Sequence, residues 1–179
     1  AGKETAPSHS MPGIWAWLES LPQNERPSLL RGDVAYGTEA VLREAEIRHQ
    51  PYLSKLKLSA KVKTLIKSLF RQSGWEDAGQ GWEGIADTLT LAGWSCARRV
   101  VVLRRRLVGE MMLTEKEERQ GKLAFIEGDV PTARYEYAVL VTSTTHPILT
   151  LAQLYRDRAD SENNFDELKN QWGGGGFTT

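Results

Sequence analysis

SLLRGDVAYGTEAVLREAEIRHQPYLSKLKLSAKVKTLIKSL, residues 28–69, is the stretch that sets the architecture. Ser28 to Asp33 reads as a short buried strand ending in a glycine and a carboxylate. Gly37 and Thr38 open a helix whose apolar residues Val41, Leu42, Ala45 and Ile47 recur at helical spacing. Pro51 to Leu58, with Tyr52, Leu53, Leu56 and Leu58, makes a second strand. Ser59 caps a basic amphipathic helix with Val62, Leu65, Ile66 and Leu69 along its apolar stripe. Strand, helix, strand, helix is an α/β order, in which layers of helix cover a sheet.

Upstream, Ser10 is placed to cap a short helix that has Pro12 in its first turn, runs through Ile14, Trp15, Trp17 and Leu18, and stops before Pro22. Downstream, from Ser73 to Ser143, glycine and tryptophan punctuate strand-like runs at Trp82 to Leu91, Arg98 to Leu107, Leu123 to Glu127 and Tyr135 to Val141. This stretch reads as a β-rich insertion. Pro147 then precedes a long helix, and Gly173 to Gly176 form a flexible terminus, since no strand precedes them and no helix follows as a phosphate-binding loop requires.

The long helix, Leu151 to Trp172, carries Tyr155, Arg158, Glu162 and Lys169 in the spacing Y-x2-R-x3-E-x6-K. At ~100° per residue these lie at ~0°, ~300°, ~340° and ~320°, inside one stripe about 60° wide. The neighbouring stripe, Leu151, Leu154, Phe165 and Leu168, is apolar and suited to a core, so the polar four sit at the rim of a buried face. An Arg158–Glu162 pair at i,i+4 is also what any exposed helix uses for a few tenths of a kcal/mol, about 0.2 to 0.5. Asp166, at ~20°, borders the same stripe and competes with Glu162 as the inward carboxylate.

Composition bounds the alternatives. Among 179 residues, 40% hydrophobic and 26% charged with no net charge, there is enough apolar material for one globular core. A single cysteine, Cys96, excludes an internal disulfide and a cysteine-based zinc cluster, and His9, His49 and His146 are too scattered to replace one. No apolar run is long enough to span a membrane and no signal peptide opens the chain, which reads as an intracellular protein. The charge is segregated: residues 51–72 hold Lys55, Lys57, Lys61, Lys63, Lys67 and Arg71 with no acid, and Arg98, Arg99, Arg104, Arg105 and Arg106 crowd a second segment. Such clusters follow a phosphate backbone or line a solvated helix face and strand ends.

A carboxylate after a buried strand and another on a later helix suit two hard divalent cations, which bind oxygen and stabilise both attacking and leaving oxygens of a phosphodiester. Asp33 and Glu162 are that pair, although an aspartate between strand and helix also serves turn chemistry. Glu162 in its Y-x2-R-x3-E-x6-K setting, the strand end Leu29-Leu30-Arg31-Gly32-Asp33 and the β-rich stretch between them resemble the DDE transposases of bacterial insertion sequences, in the branch named for this signature. The resemblance covers essentially the whole chain.

That resemblance implies a partial ribonuclease H-like α/β core over residues 1–72, a mixed sheet with flanking helices. It also implies a β-rich insertion over 73–143, a core helix with the signature over 144–172 and a Gly-rich terminus over 173–179. It implies catalysis on two Mg²⁺ ions, with Mn²⁺ as an alternative, held by Asp33 as the second acid and Glu162 as the third. Tyr155, Arg158 and Lys169 would contact DNA beside the cleaved phosphate. The partners implied are double-stranded DNA, as transposon ends and target, and a second copy in a synaptic homodimer, with no membrane, in the nucleoid-associated bacterial cytoplasm. Some members hold a flipped base on an insertion aromatic, for which Trp75, Trp82 and Trp94 are candidates beside the ordinary role of filling a core.

One departure stands out. Residues 1–32 contain no aspartate, so the family's first acid does not lie ahead of Asp33. The expectation is a C-terminal portion of a transposase catalytic domain, inactive by itself in DNA cleavage and strand transfer; the alternative is a catalytically inactive remnant that at most binds DNA. Arg31-Gly32-Asp33 is also the adhesion tripeptide, a reading that needs all three residues exposed on a loop of a secreted protein.

Overall fold

The computed structural model describes residues 6–107, 122–123 and 134–157. Seven strands among these residues form a single mixed sheet: β1 (Leu30–Gly32), β2 (Tyr52–Lys55), β3 (Glu76–Gly79), β4 (Trp82–Leu89), β5 (Arg98–Leu107), β6 (Lys122–Leu123) and β7 (Arg134–Thr142). The order across the sheet is β1-β2-β7-β5-β4-β3, with β6 beside β7. β1 and β2 are parallel, with Gly32 opposite Ser54, and helix α2 (Glu39–Ile47) makes the crossover that a parallel pair requires. Every other pairing is antiparallel. Strands from residues 76–142 therefore extend the same sheet that β1 and β2 begin.

Alternation along the strands assigns two cores. Val100 and Val102 of β5, with Tyr137, Val139 and Val141 of β7, point to one face, where α1 (Ala6–Ser20), α2 and α3 (Ala60–Leu69) cover them with Trp15, Leu42 and Ile66 among others. Val101 and Leu103, with Ala138 and Leu140, point to the other face, covered by Ile148, Leu151 and Ala152 of α4, which is helical over residues 148–157. The two-residue period of a strand buried on both faces makes β5 and β7 almost continuously apolar at their centres.

Most expected elements lie within a few residues of their places. β5 matches Arg98 to Leu107, and Ser59 caps α3 by accepting from the Val62 N–H at 3.5 Å. Ser10 does not cap α1, which begins at least four residues earlier; its hydroxyl instead meets the Tyr36 hydroxyl at 3.2 Å. β3 carries no strand signal in the sequence, because Glu76-Asp77-Ala78-Gly79 has no apolar alternation. Its hairpin to β4 turns on Gln80 and Gly81, both at positive φ (55° and 75°), the backbone a two-residue primed turn demands. Of the strand expected at 123–127 only Leu123 lies within the described residues, as does neither Phe165 nor Leu168 of the long helix.

Candidate active site

Asp33 leaves the sheet at the C-terminal end of β1, half-buried. The turn after it is tightly fixed. Asp33 Oδ1 accepts the Ala35 N–H at 2.8 Å and the Asp33 carbonyl accepts the Tyr36 N–H at 3.2 Å. A β-carbon on Gly32 would lie 2.6 Å from Tyr36 Cβ and 2.9 Å from Ser54 Oγ, and one on Gly37 would lie 2.6 Å from the Lys55 carbonyl oxygen. Glycine at both positions lets the 33–37 turn lie flat against the end of β2. The turn role weighed for Asp33 from sequence is thus present in one oxygen, while Oδ2 accepts no hydrogen bond from the described residues.

Lys55 follows Ser54 on the parallel neighbour, so Asp33 and Lys55 emerge side by side at one sheet end. The ammonium of Lys55 lies 5.7 Å from the centroid of the Tyr155 ring, a cation–π distance. Tyr155 is half-buried against the α4 core, at the rim that its helical position predicts. Arg31 Nη1 donates to the Leu154 carbonyl at 2.8 Å, tying the end of β1 to the helix that carries the signature. Asp33, Lys55 and Tyr155 are thereby brought to one corner. Arg158, Glu162, Lys169 and the rival Asp166 lie outside the described residues.

Lys55 and Arg31 were not singled out as site residues from sequence. Lys55 read as one of six cations, and Arg31 as part of a tripeptide; the parallel register opposite Gly32 is the fact that moves both to the site. The adhesion reading fails its own requirement, since Arg31 is exposed but Gly32 and Asp33 are not fully so. Each candidate base-stacking tryptophan has an arginine over its ring: Arg104 over Trp75 at 3.7 Å, Arg105 over Trp82 at 5.0 Å and Arg98 over Trp94 at 4.9 Å. All three rings also pack on a core.

A half-exposed carboxylate with an open oxygen suits one ligand position of a hard divalent cation. Among the described residues no group of three or more His, Cys, Asp or Glu is disposed to hold a metal. Glu162, the other carboxylate expected to share a metal with Asp33, lies outside the described residues.

A mixed sheet flanked on both faces by helices, with a carboxylate at the end of a parallel strand beside a lysine and a helix-borne tyrosine, defines a ribonuclease H-like α/β domain. The model of the transposase DDE domain matches residues 3–178, and the chain belongs to that family. No curated protein sequence matches it. Membership makes it a transposase and a polynucleotidyl transferase by class, with DNA as substrate, in a family generally dependent on divalent metal. Among the described residues no helix is long and apolar enough to cross a membrane.

Proposed function

We propose that this chain supplies the second and third acids of a DDE catalytic centre, Asp33 and Glu162, for cleavage of transposon-end DNA and strand transfer into target DNA. The observation that carries the reading is the convergence of Asp33, Lys55 and Tyr155 at one sheet end, with Arg31 bonded to the signature helix at Leu154. Two Mg²⁺ ions bound between such carboxylates would activate the attacking hydroxyl or water and offset charge on the departing oxygen.

The chain's own residues have separate tasks. Asp33 presents Oδ2 as an anionic oxygen donor while Oδ1 locks the turn, so its position is fixed before any ligand arrives. Lys55, with Arg158 and Lys169 of the signature, pairs with phosphate oxygens, and Tyr155 holds the Lys55 ammonium toward them. The described strands of the β-rich stretch, which we read as an insertion, extend the core sheet, and Ala78, Val101, Leu103, Ala138 and Leu140 on them form the face on which α4 rests.

Residues 1–32 contain no aspartate, and in this reading the 179-residue chain by itself does not cleave DNA. In an active parent containing the first acid, Asp33→Asn and Glu162→Gln should each abolish metal-dependent nicking of a transposon-end duplex, and Asp166→Asn should leave it. Retained nicking by Glu162→Gln, or loss in Asp166→Asn with normal folding, would reassign the third acid. Nicking by the purified 179-residue chain would overturn the incomplete-centre reading.

A further inference from the structure

Charge on the described surface is compensated unevenly. Arg48, Arg98, Arg104 and Arg105 each meet a carboxylate, at 2.7 Å, 2.6 Å, 2.8 Å and 2.7 Å for the Glu19, Glu39, Glu83 and Glu136 partners. Lys57, Lys61, Lys63 and Lys67 form no ion pair with any described residue. These four follow one another along the β2–α3 turn and α3; Lys57, Lys61 and Lys67 are exposed and Lys63 is half-buried.

Their placement opposes helix stability twice. Lys61 and Lys63 sit in or beside the first turn of α3, which holds no acid, where the helix dipole disfavours a cation. Lys63 and Lys67 are like charges at i,i+4, a destabilising spacing on a helix. A partner anion reverses both effects. The apolar stripe of α3 cannot be the binding face, because Val62, Ile66 and Leu69 are 0%, 0% and 2% exposed in the core, so insertion into a lipid surface is closed to it.

Chain order ties them to the site. Gly32 lies opposite Ser54, so Lys55 adjoins Asp33, and Lys57, Lys61, Lys63 and Lys67 follow Lys55 in the chain onto α3, which covers the sheet face opposite α4. At ~100° per residue Lys61 lies ~160° from Lys63 and ~120° from Lys67, so these three border both edges of the exposed face of a helix ~15 Å long, a breadth that suits a duplex rather than a point anion. We propose that the solvent face of α3, with the β2–α3 turn, is a sequence-independent docking surface for the phosphate backbone of duplex DNA flanking the phosphodiester that reaches Asp33. The inference rests on reading the Asp33 corner as the place where DNA is processed, and adds a surface that supplies affinity without chemistry.

The test uses the 179-residue chain and a 30-base-pair duplex of arbitrary sequence, with no divalent metal, over a salt series. Replacing Lys57, Lys61, Lys63 and Lys67 with Gln should lower the slope of log affinity against log salt by about 1 for each lysine that touches a phosphate. At low salt, affinity should fall at least tenfold, on the order expected from several lost phosphate contacts. The same four changed to Arg should keep the parent slope. Thermal melting should not fall in the Gln variant, since like charges are removed; should it fail to fold, the exposed single changes Lys61→Gln and Lys67→Gln carry the test, each lowering the slope by about 1. An unchanged slope in a folded Gln variant, or an equal loss from Arg43→Gln on α2, would overturn the proposal. Because no cleavage is measured, this outcome is independent of whether Asp33 and Glu162 prove catalytic.

Discussion

Gly32 is the residue on which the placement of Asp33 depends most directly. A β-carbon in place of its α-hydrogen would face Tyr36 Cβ, which cannot withdraw without moving its own backbone, and Ser54 Oγ, which can rotate. Gly32→Ala should therefore lower stability by about 1–3 kcal/mol, the cost typical of overpacking, seen as a lower urea midpoint at unchanged slope. Adding Ser54→Ala should restore little, because the closer contact is with Tyr36. A Gly32→Ala chain as stable as the parent would mean that the 33–37 turn is looser than its contacts indicate.

At the scale of elements, α2 is held to the sheet by one buried cation. Arg98, 4% exposed at the start of β5, donates to Glu46 at 2.6 Å and 2.8 Å and to Glu39 at 2.6 Å, while the Tyr52 hydroxyl donates to Glu46 at 2.7 Å. The Arg98 hydrogen bonds hold Glu46 below the usual glutamate range. Burial would raise Glu39, but hydrogen bonds from Arg98 and Ser95 outweigh it and bring it from 4.5 down to about 2. A carboxyl depressed on folding stabilises fully above its unfolded pKa and loses that stabilisation as pH falls through the folded value. Stability should thus decline between about pH 4.5 and pH 2, and Glu39→Gln should flatten part of that decline in melting curves. Arg98→Met should cost about 3–5 kcal/mol, because it strands two carboxylates beside the core. A loss under 1 kcal/mol would show that water reaches them.

Element boundaries in this region were legible in the sequence because caps and stripes coincide: Ser59 with Val62, Ile66 and Leu69, and the valine run of β5. The pairing of those elements was not. Nothing local says that β7 rather than β3 adjoins β2, or that Arg98 on β5 reaches Glu39 and Glu46 on α2, since such contacts join residues about fifty or more positions apart. The site divides in the same way. Asp33 and Tyr155 are candidates through their motif, whereas Lys55 adjoins Asp33 through a parallel register, and Arg31 meets α4 through a bond to Leu154, neither of which any short stretch encodes.

For the whole molecule, the decisive relation is between the far strands and the site. α4 rests on the sheet with Ile148 over β4 and reaches β1 and β2 through Leu154 and Tyr155, so the position of its start fixes that of its far end. Gly84 is the seat: a β-carbon there would lie 2.3 Å from Ile148 Cγ2 and 3.0 Å from Leu103 Cδ2, a contact only glycine permits inside a strand. Gly84→Ala should lift the helix, lower stability by about 1–3 kcal/mol and weaken the Arg31–Leu154 bond at the opposite end. Removing the obstructing methyl should relieve it. In a double-mutant cycle, Gly84→Ala in an Ile148→Ala background should therefore cost at least about 1 kcal/mol less than in the parent, the coupling expected of residues in direct contact. Strict additivity would mean that α4 and the β4 strand adjust independently, and that the corner formed by Asp33, Lys55 and Tyr155 does not depend on the sheet beyond β7.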